Sequence, residues 1–198
     1  MLKRLFDVLV AGAGLLLLSP LLVGIALWIK LDSRGPVFFR QQRVGRFGAP
    51  FHIHKFRSMR EDAPLAGPQI TVGDDPRITG AGHFLRRTKL DELPQLLDVL
   101  AGTMSLVGPR PEVPRYVAMY PPELRDKVLS VRPGITDQAS ITYRDESTLL
   151  AQAADPERVY IEQIMPAKLR CAAEYVDHMS LANDLRLIGA TLRLLLSR

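Results

Sequence analysis

The chain has 198 residues, 47% hydrophobic and 24% charged, which excludes a disordered polypeptide and leaves room for one catalytic-size core plus a small appendage, not two full domains. A net charge of +5 and a pI near 9.6 point to an anionic partner: nucleic acid, a phosphorylated metabolite or acidic lipid headgroups. The single cysteine, Cys171, excludes an internal disulfide and a Cys-x-x-Cys site; it reads as core filler in a reducing compartment.

The positive charge sits at the N-terminal end. Between Met1 and Arg60 the only acids are Asp7 and Asp32, against Lys3, Arg4, Lys30, Arg34, Arg40, Arg43, Arg46, Lys55, Arg57 and Arg60. Inside this region, residues 8–29 carry no charge. As one straight helix they would reach roughly 33 Å, enough to cross a bilayer. A cleaved signal peptide fits poorly, because Ala26-Leu27-Trp28-Ile29-Lys30 offers no small-x-small exit. A straight spanning anchor leaves basic residues on both flanks, which both ask for the cytoplasmic side. A helix that enters, turns and leaves on one side satisfies both flanks and is the favoured reading. Ser19-Pro20 lies near its middle: Pro20 cannot donate to the carbonyl of Leu16, and the Ser19 hydroxyl can serve a freed carbonyl. Residues 1–33 are therefore expected to form a re-entrant membrane helix broken at Ser19-Pro20, and residues 34–198 the rest.

After the Gly35-Pro36 turn, Val37-Phe38-Phe39-Arg40 and the alternating Phe51-His52-Ile53-His54-Lys55-Phe56 predict a β-hairpin across a turn-rich stretch. His52 and His54 share a strand face; solvated strand residues are favoured over a metal pair, since no third ligand is near. Residues 63–82 read as loop. Helices are expected over 83–89 and 92–100, the second ending before Gly102. Gly108-Pro109-Arg110-Pro111 must be rigid, because each proline fixes its own φ and constrains its predecessor. Residues 114–129 hold one or two short helices broken at Pro121-Pro122, and Arg132-Pro133-Gly134 is a turn. Asp155 caps a helical stretch with Pro156 at its first position, and Pro166 separates two helices. Residues 185–196 are amphipathic, with Arg186 and Arg193 and then Arg198, and belong on a membrane surface or on the core. The fold class is α+β, mostly helical, with a small β-hairpin and amphipathic interfacial helices around a helical catalytic core.

The densest chemistry is Arg86-Arg87-Thr88-Lys89-Leu90-Asp91-Glu92-Leu93-Pro94-Gln95. Side chains adjacent on a helix diverge by about 100°, so Asp91 and Glu92 do not face each other as a proton-sharing pair and can hold different jobs. A carboxylate can attack phosphorus, provided that cations or a magnesium ion neutralise the transferring phosphate. The plainer alternative is that Asp91 caps the helix after it. Arg110 in its rigid loop suits bidentate phosphate contact, and Lys55, Arg57 and Arg60 suit a diphosphate or headgroups. Asp75-Pro76-Arg77-Ile78-Thr79 is a weaker candidate. No Walker loop, dinucleotide fingerprint, zinc pattern or nucleophile elbow is present. Basic residues here are not interleaved with aromatics, which argues against nucleic acid.

At these residues the chain resembles the monotopic phosphoglycosyl transferases of the bacterial sugar transferase family. The matching segments run in family order: Lys3-Arg4-Leu5-Phe6-Asp7, Ser19-Pro20, Gly35-Pro36-Val37-Phe38, Lys55-Phe56-Arg57-Ser58-Met59, Asp75-Pro76-Arg77-Ile78-Thr79, Leu90-Asp91-Glu92-Leu93-Pro94-Gln95, Ser105-Leu106-Val107-Gly108-Pro109-Arg110-Pro111 and Arg132-Pro133-Gly134-Ile135-Thr136. The resemblance implies a re-entrant helix at Ser19-Pro20 and a catalytic domain on the cytoplasmic face of the bacterial inner membrane. It implies that Asp91 attacks a UDP-sugar and releases UMP, that Glu92 assists transfer to polyprenyl (undecaprenyl) phosphate, and that Mg2+ binds near Asp91. Arg86 and Arg110 would be phosphate ligands, joined by Lys55 and Arg57. The chain departs from the family pattern over Asp137-Gln138-Ala139-Ser140-Ile141-Thr142-Tyr143-Arg144-Asp145-Glu146, which bears on the choice of sugar and not on the reaction type. The rival readings are a basic peripheral membrane protein without activity and a lipid-linked glycosyltransferase that releases UDP. Oligomeric state is left open, a homo-oligomer included.

Overall fold

The computed structural model describes residues 1–62, 70–73 and 75–197. Part of the expected loop over 63–82, and Arg198, lie outside these residues. Helix α1 runs over Leu2–Asp32 with Pro20 inside it. Among the described residues it is the one helix long and apolar enough to cross a membrane. It is assigned as a single helix through Ser19 and Pro20, where a break was expected. The Ser19 hydroxyl donates at 2.8 Å to the Leu16 carbonyl, which Pro20 leaves without its usual backbone donor.

One stripe of α1 faces the rest of the protein. Asp7, Ala11, Ile25 and Ile29 are buried along it, while Leu9, Leu16, Leu17, Leu21, Val23 and Leu27 stay exposed on the other side. Both ends are tied down. Near the start, Lys3 Nζ donates to Asp184 (2.5 Å) and to the Val107 carbonyl, and Arg4 reaches the Val99 and Leu100 carbonyls. Asp7, 2% exposed, accepts from the Ser105 hydroxyl and the Leu106 amide. Near the end, Ile25 and Ile29 pack with Phe56 and Leu85. Burying an isoleucine is worth about 1.5–3 kcal/mol, so this half of α1 is structural as well as apolar.

Strands β1 (Phe38–Val44) and β2 (Pro50–Phe56) form the expected antiparallel hairpin, longer than the sequence suggested, with His54 opposite Arg40. Helix α2 spans Gly80–Thr88, one turn earlier than expected, because the Thr79 hydroxyl caps it by accepting from the Gly82 amide. Helix α3 spans Gln95–Ala101. A second sheet was not anticipated: β3 (Ser105–Val107) pairs in parallel with β4 (Gly134–Thr136). There the two glycine motifs meet backbone to backbone. A Cβ on Gly134 would lie 2.0 Å from the Gly108 nitrogen, and one on Gly108 would lie 2.4 Å from the Arg132 carbonyl oxygen, so neither position tolerates a side chain. The loop carrying Arg110 is thereby clamped.

Two short helices follow, α4 (Pro114–Val117) and α5 (Pro122–Val128), then α6 (Gln138–Thr142) and α7 (Glu146–Ala151). Asp155 caps α8 (Pro156–Val159) as expected, accepting from the Arg158 amide. Pro166 does not separate two helices: a π-helical turn at Tyr160–Ile164 precedes it, and the proline occupies the first turn of α9 (Met165–Asp177). Helix α10 (Leu181–Leu196) is capped by Ser180; its Leu187 packs into the core while Leu185 and Leu192 stay exposed. Cys171, on α9, is half-buried. The described fold is mostly helical with two small sheets, in keeping with an α+β chain.

Candidate active site

Lys89 ends α2 in the left-handed conformation (φ 59°) and throws the chain into a one-turn 3-10 helix, Leu90–Glu92. Pro94 then delays α3 until Gln95. The expected helix over 92–100 is thus shortened. Asp91 does not cap it either, because α3 has Pro94 at its N-cap and no side-chain cap bond. Asp91 is 6% exposed, and its Oδ1 has no hydrogen-bond partner among the described residues. Glu92 is equally buried but fully engaged. Arg110 grips it with both terminal nitrogens, Nη1–Oε2 at 3.2 Å and Nη2 on Oε1, and Lys55 Nζ donates to Oε1 at 2.9 Å.

The two adjacent carboxyls are therefore set apart electrostatically. Burial pushes the Asp91 carboxyl above its ordinary value; Lys55 opposes this and the Glu92 charge adds to it. Burial also pushes Glu92 up, but Arg110 and Lys55 together overcome it and hold Glu92 well below the usual carboxylate range. Burial lowers Lys55, partly offset by Glu92, whereas the Glu92 charge raises Arg110 further. Two neighbouring carboxyls pushed in opposite directions are the pattern of a site that divides labour between acids.

Lys89, Glu92 and Leu93 line a cleft of about 630 Å³ that also takes in Arg43, Arg86, Arg87 and Arg110. Arg86 anchors through Thr71 Oγ1 at 2.6 Å with its guanidinium on the cleft wall. Glu92, Arg86 and Arg110 thus share the cleft wall, Lys55 joins them through Glu92, and Asp91, which does not line the cleft, lies close enough to feel the charges of Lys55, Glu92 and Arg86. Arg57 does not join them as expected. It is 4% exposed and donates to the Ser33 hydroxyl, the Ser33 and Pro36 carbonyls and, at 3.4 Å, the Ile29 carbonyl. It completes the C-terminal end of α1, where a cation meets the helix dipole, and spends four of its five N–H groups there. Asp75 and Arg77 pair with each other, and the Arg77 hydrogen bonds hold Asp75 below its ordinary value. His54 is not simply solvated: its Nδ1 lies 2.7 Å from Asp98, and its backbone amide donates to the same carboxylate.

Arg43 was read only as part of a basic stretch. It is half-buried in the cleft wall, bonds to the Pro111 carbonyl and Gln41, and leaves its Nε unpartnered among the described residues. Its place beside Arg110 follows from the Pro109-Arg110-Pro111 bend meeting the end of β1, which local sequence does not encode.

Among the described residues no three acids or histidines cluster, which speaks against an all-protein cage. Magnesium is usually held by one or two carboxylates together with water and substrate phosphates, and an unpartnered carboxylate oxygen at Asp91 beside a cationic cleft fits that mode.

A family model described as "Bacterial sugar transferase" matches residues 1–198. The chain is 39% identical over 194 residues to "UDP-glucose:undecaprenyl-phosphate glucose-1-phosphate transferase" of Escherichia coli (strain K12), covering 96% of this chain and 39% of that protein. It is 37% identical over 197 residues to "UDP-N-acetylgalactosamine-undecaprenyl-phosphate N-acetylgalactosaminephosphotransferase" of Aeromonas hydrophila, covering 98% of this chain and 44% of that protein. It is 40% identical to "Exopolysaccharide production protein PSS" of Rhizobium leguminosarum bv. phaseoli, covering 96% of this chain and 92% of that protein. The chain thus spans less than half the length of the first two.

Proposed function

The chain belongs to the bacterial sugar transferase family, and we propose that it moves a sugar-1-phosphate from a UDP-sugar onto polyprenyl phosphate, releasing UMP. The observation that carries this is the contrast at Asp91 and Glu92: one buried carboxyl with an unpartnered oxygen, the next clamped by two cations.

Asp91, as carboxylate, attacks the sugar-side phosphorus. An O–P bond forms, the P–O bond to UMP breaks, and UMP leaves with the electron pair. Arg86 and Arg110 hold the diphosphate and stabilise charge on the transferring phosphoryl group. Polyprenyl phosphate then attacks the same phosphorus, breaking the Asp91–P bond and restoring the carboxylate. Glu92 is a poor proton acceptor while Arg110 and Lys55 hold it ionised, so its task is to position those two cations. Little base is needed, because a phosphate monoester with a second pKa of about 6 is largely dianionic at neutral pH. Magnesium, held by Asp91 and the substrate phosphates, would supply further charge neutralisation.

The uncovered face of α1 associates the protein with a membrane, where a water-soluble donor and a lipid acceptor can meet. We read α1 as re-entrant. Its two ends are fastened to one body, by Lys3 and Arg4 at the start and by Ile25, Ile29 and the Arg57 bonds at the end, and the positive-inside rule assigns the basic flanks, Lys3 and Arg4 at one end and Lys30 and Arg34 at the other, to the cytoplasmic face of the inner membrane. With Cys171→Ser as background, Leu2→Cys and Arg34→Cys should label from the same side; opposite-side labelling would restore a spanning anchor.

The test of mechanism is Asp91→Asn. Incubated with a UDP-sugar alone, the wild type should release one UMP per chain and gain the mass of a phosphosugar at residue 91; the variant should do neither. Turnover by the variant with no deamidation, or release of UDP from the wild type, would end this reading.

A further inference from the structure

Relatives of nearly equal similarity carry different sugars in their names, glucose in one and N-acetylgalactosamine in another. Overall likeness therefore does not set the sugar, and the choice must lie in a few side chains of the cleft. The phosphate-facing cations cannot make it, since every nucleotide-sugar presents the same diphosphate to them. Nor can the wall contributed by Val10, Leu93, Leu96, Leu106, Ile188 and Leu192, which has no hydrogen-bonding side chain.

A different part of the cleft wall is built for hydroxyls. Lys168 Nζ and Glu146 Oε2 lie 2.8 Å apart, both more than three-quarters buried. The Lys168 ammonium stands 5.3 Å from the centre of the Tyr160 ring, which packs at 5.0 Å against Tyr116. The Tyr160 hydroxyl is fixed on Glu112 at 2.5 Å. Glu112 lies 3.6 Å from Arg43, whose guanidinium feels both Arg110 and Glu92. A relay of contacts thus leads from Arg43, which shares the cleft with Glu92 and Arg110, to Tyr160 and Lys168, and Tyr143 and Arg144 line the cleft with Glu146. The Tyr160 ring is buried beneath Lys168 and braces the pair from behind, while a fixed carboxylate and a fixed ammonium on the cleft wall match the hydroxyls of a sugar, which donate to the one and accept from the other.

We propose that Glu146 and Lys168, braced from behind by Tyr160, read the hydroxyl pattern of the donor sugar. This rests on the cleft being the UDP-sugar site. Discrimination arises because a sugar whose hydroxyls do not meet this partly buried pair takes it out of water without replacing the hydrogen bonds that water gave it, a penalty that can exceed tenfold.

The experiment is competition between UDP-glucose, UDP-galactose and UDP-N-acetylgalactosamine on the full-length protein in detergent or nanodiscs. The phosphosugar adducts are quantified by mass for wild type, Glu146→Gln, Glu146→Ala and Lys168→Met. The expected result is a change of about tenfold or more in the ratio between sugars, with unchanged inhibition by UMP, which lacks the sugar. Glu146→Gln keeps the shape and a carbonyl acceptor and should fall between wild type and Glu146→Ala, so the trend survives even if the alanine variant unfolds. Ratios within twofold of wild type, or equal losses for all three sugars in folded protein, overturn the proposal. If the wild type forms no adduct with any UDP-sugar, the proposed function fails first and this inference with it.

Discussion

Replacing Gly134 by alanine adds one methyl group where it cannot be accommodated. That Cβ would lie 2.0 Å from the Gly108 nitrogen and 2.6 Å from both the Gly108 oxygen and the Val107 carbonyl carbon, against 3.4 Å or more for ordinary contact. All three obstacles are backbone, so no side chain can swing aside. The strands β3 and β4 must part by roughly an ångström, and three bonds span the gap: Ser105 N to Pro133 O, Gly134 N to Pro109 O and Gly108 N to Thr136 O. At about 1 kcal/mol each, their loss costs about 3 kcal/mol. The same movement displaces Pro109 and Arg110, and a misplacement of an ångström at a reacting centre can cost about a hundredfold in rate. Denaturant unfolding in micelles should give the stability loss, and single-turnover UMP release the rate. A variant that keeps wild-type stability and wild-type UMP release would refute the idea that the glycine contact clamps the Arg110 loop.

Four further outcomes follow from the site and its supports. Glu92→Gln removes a charge that raises Asp91 and frees Lys55 to lower it, so the acid limb of adduct formation should move to lower pH; a limb that stays or rises contradicts the coupling. Asp91 itself, raised in the folded state, binds more protons than the unfolded chain above about pH 3.9, so stability falls as pH rises through its folded value. Asp91→Asn should flatten that part of the stability–pH curve, and an unchanged curve would count against a raised Asp91. Arg57→Ala should lower stability by about 3 kcal/mol through four lost charged hydrogen bonds while leaving KM for the donor unchanged; a raised KM would return Arg57 to phosphate binding. Asp184→Asn should loosen the start of α1 and speed tryptic cleavage after Lys3 and Arg4; an unaltered rate would mean the Lys3 tie is incidental.

What could be read in the sequence was what local pattern encodes. Phe51-His52-Ile53-His54 alternates and forms β2; Asp155-Pro156 caps and starts a helix; the dense charge around Asp91 marks the site. The misses have a common origin in distance. β3 and β4 are three residues each and pair across the chain, too short for any periodic signal. Arg57 has the right chemistry for a phosphate, but the end of α1 reaches it first. Lys3, Arg4 and Asp7 look like a basic flank with one stray acid, yet each is a tie to a remote backbone group. The left-handed Lys89 that shortens the following helix is a non-glycine in a glycine conformation, which composition gives no reason to expect.

The ties at the start of α1 reach partners 95 and 181 residues further along the chain. During synthesis the ties of this helix must therefore wait until Val99 and then Asp184 have been made. It can neither finish folding early nor be trimmed away to yield a water-soluble enzyme, since Phe56, Leu85 and Val99 would lose the helix they pack on or anchor. The apolar helix and the body that carries Asp91 are, in this protein, one packed unit.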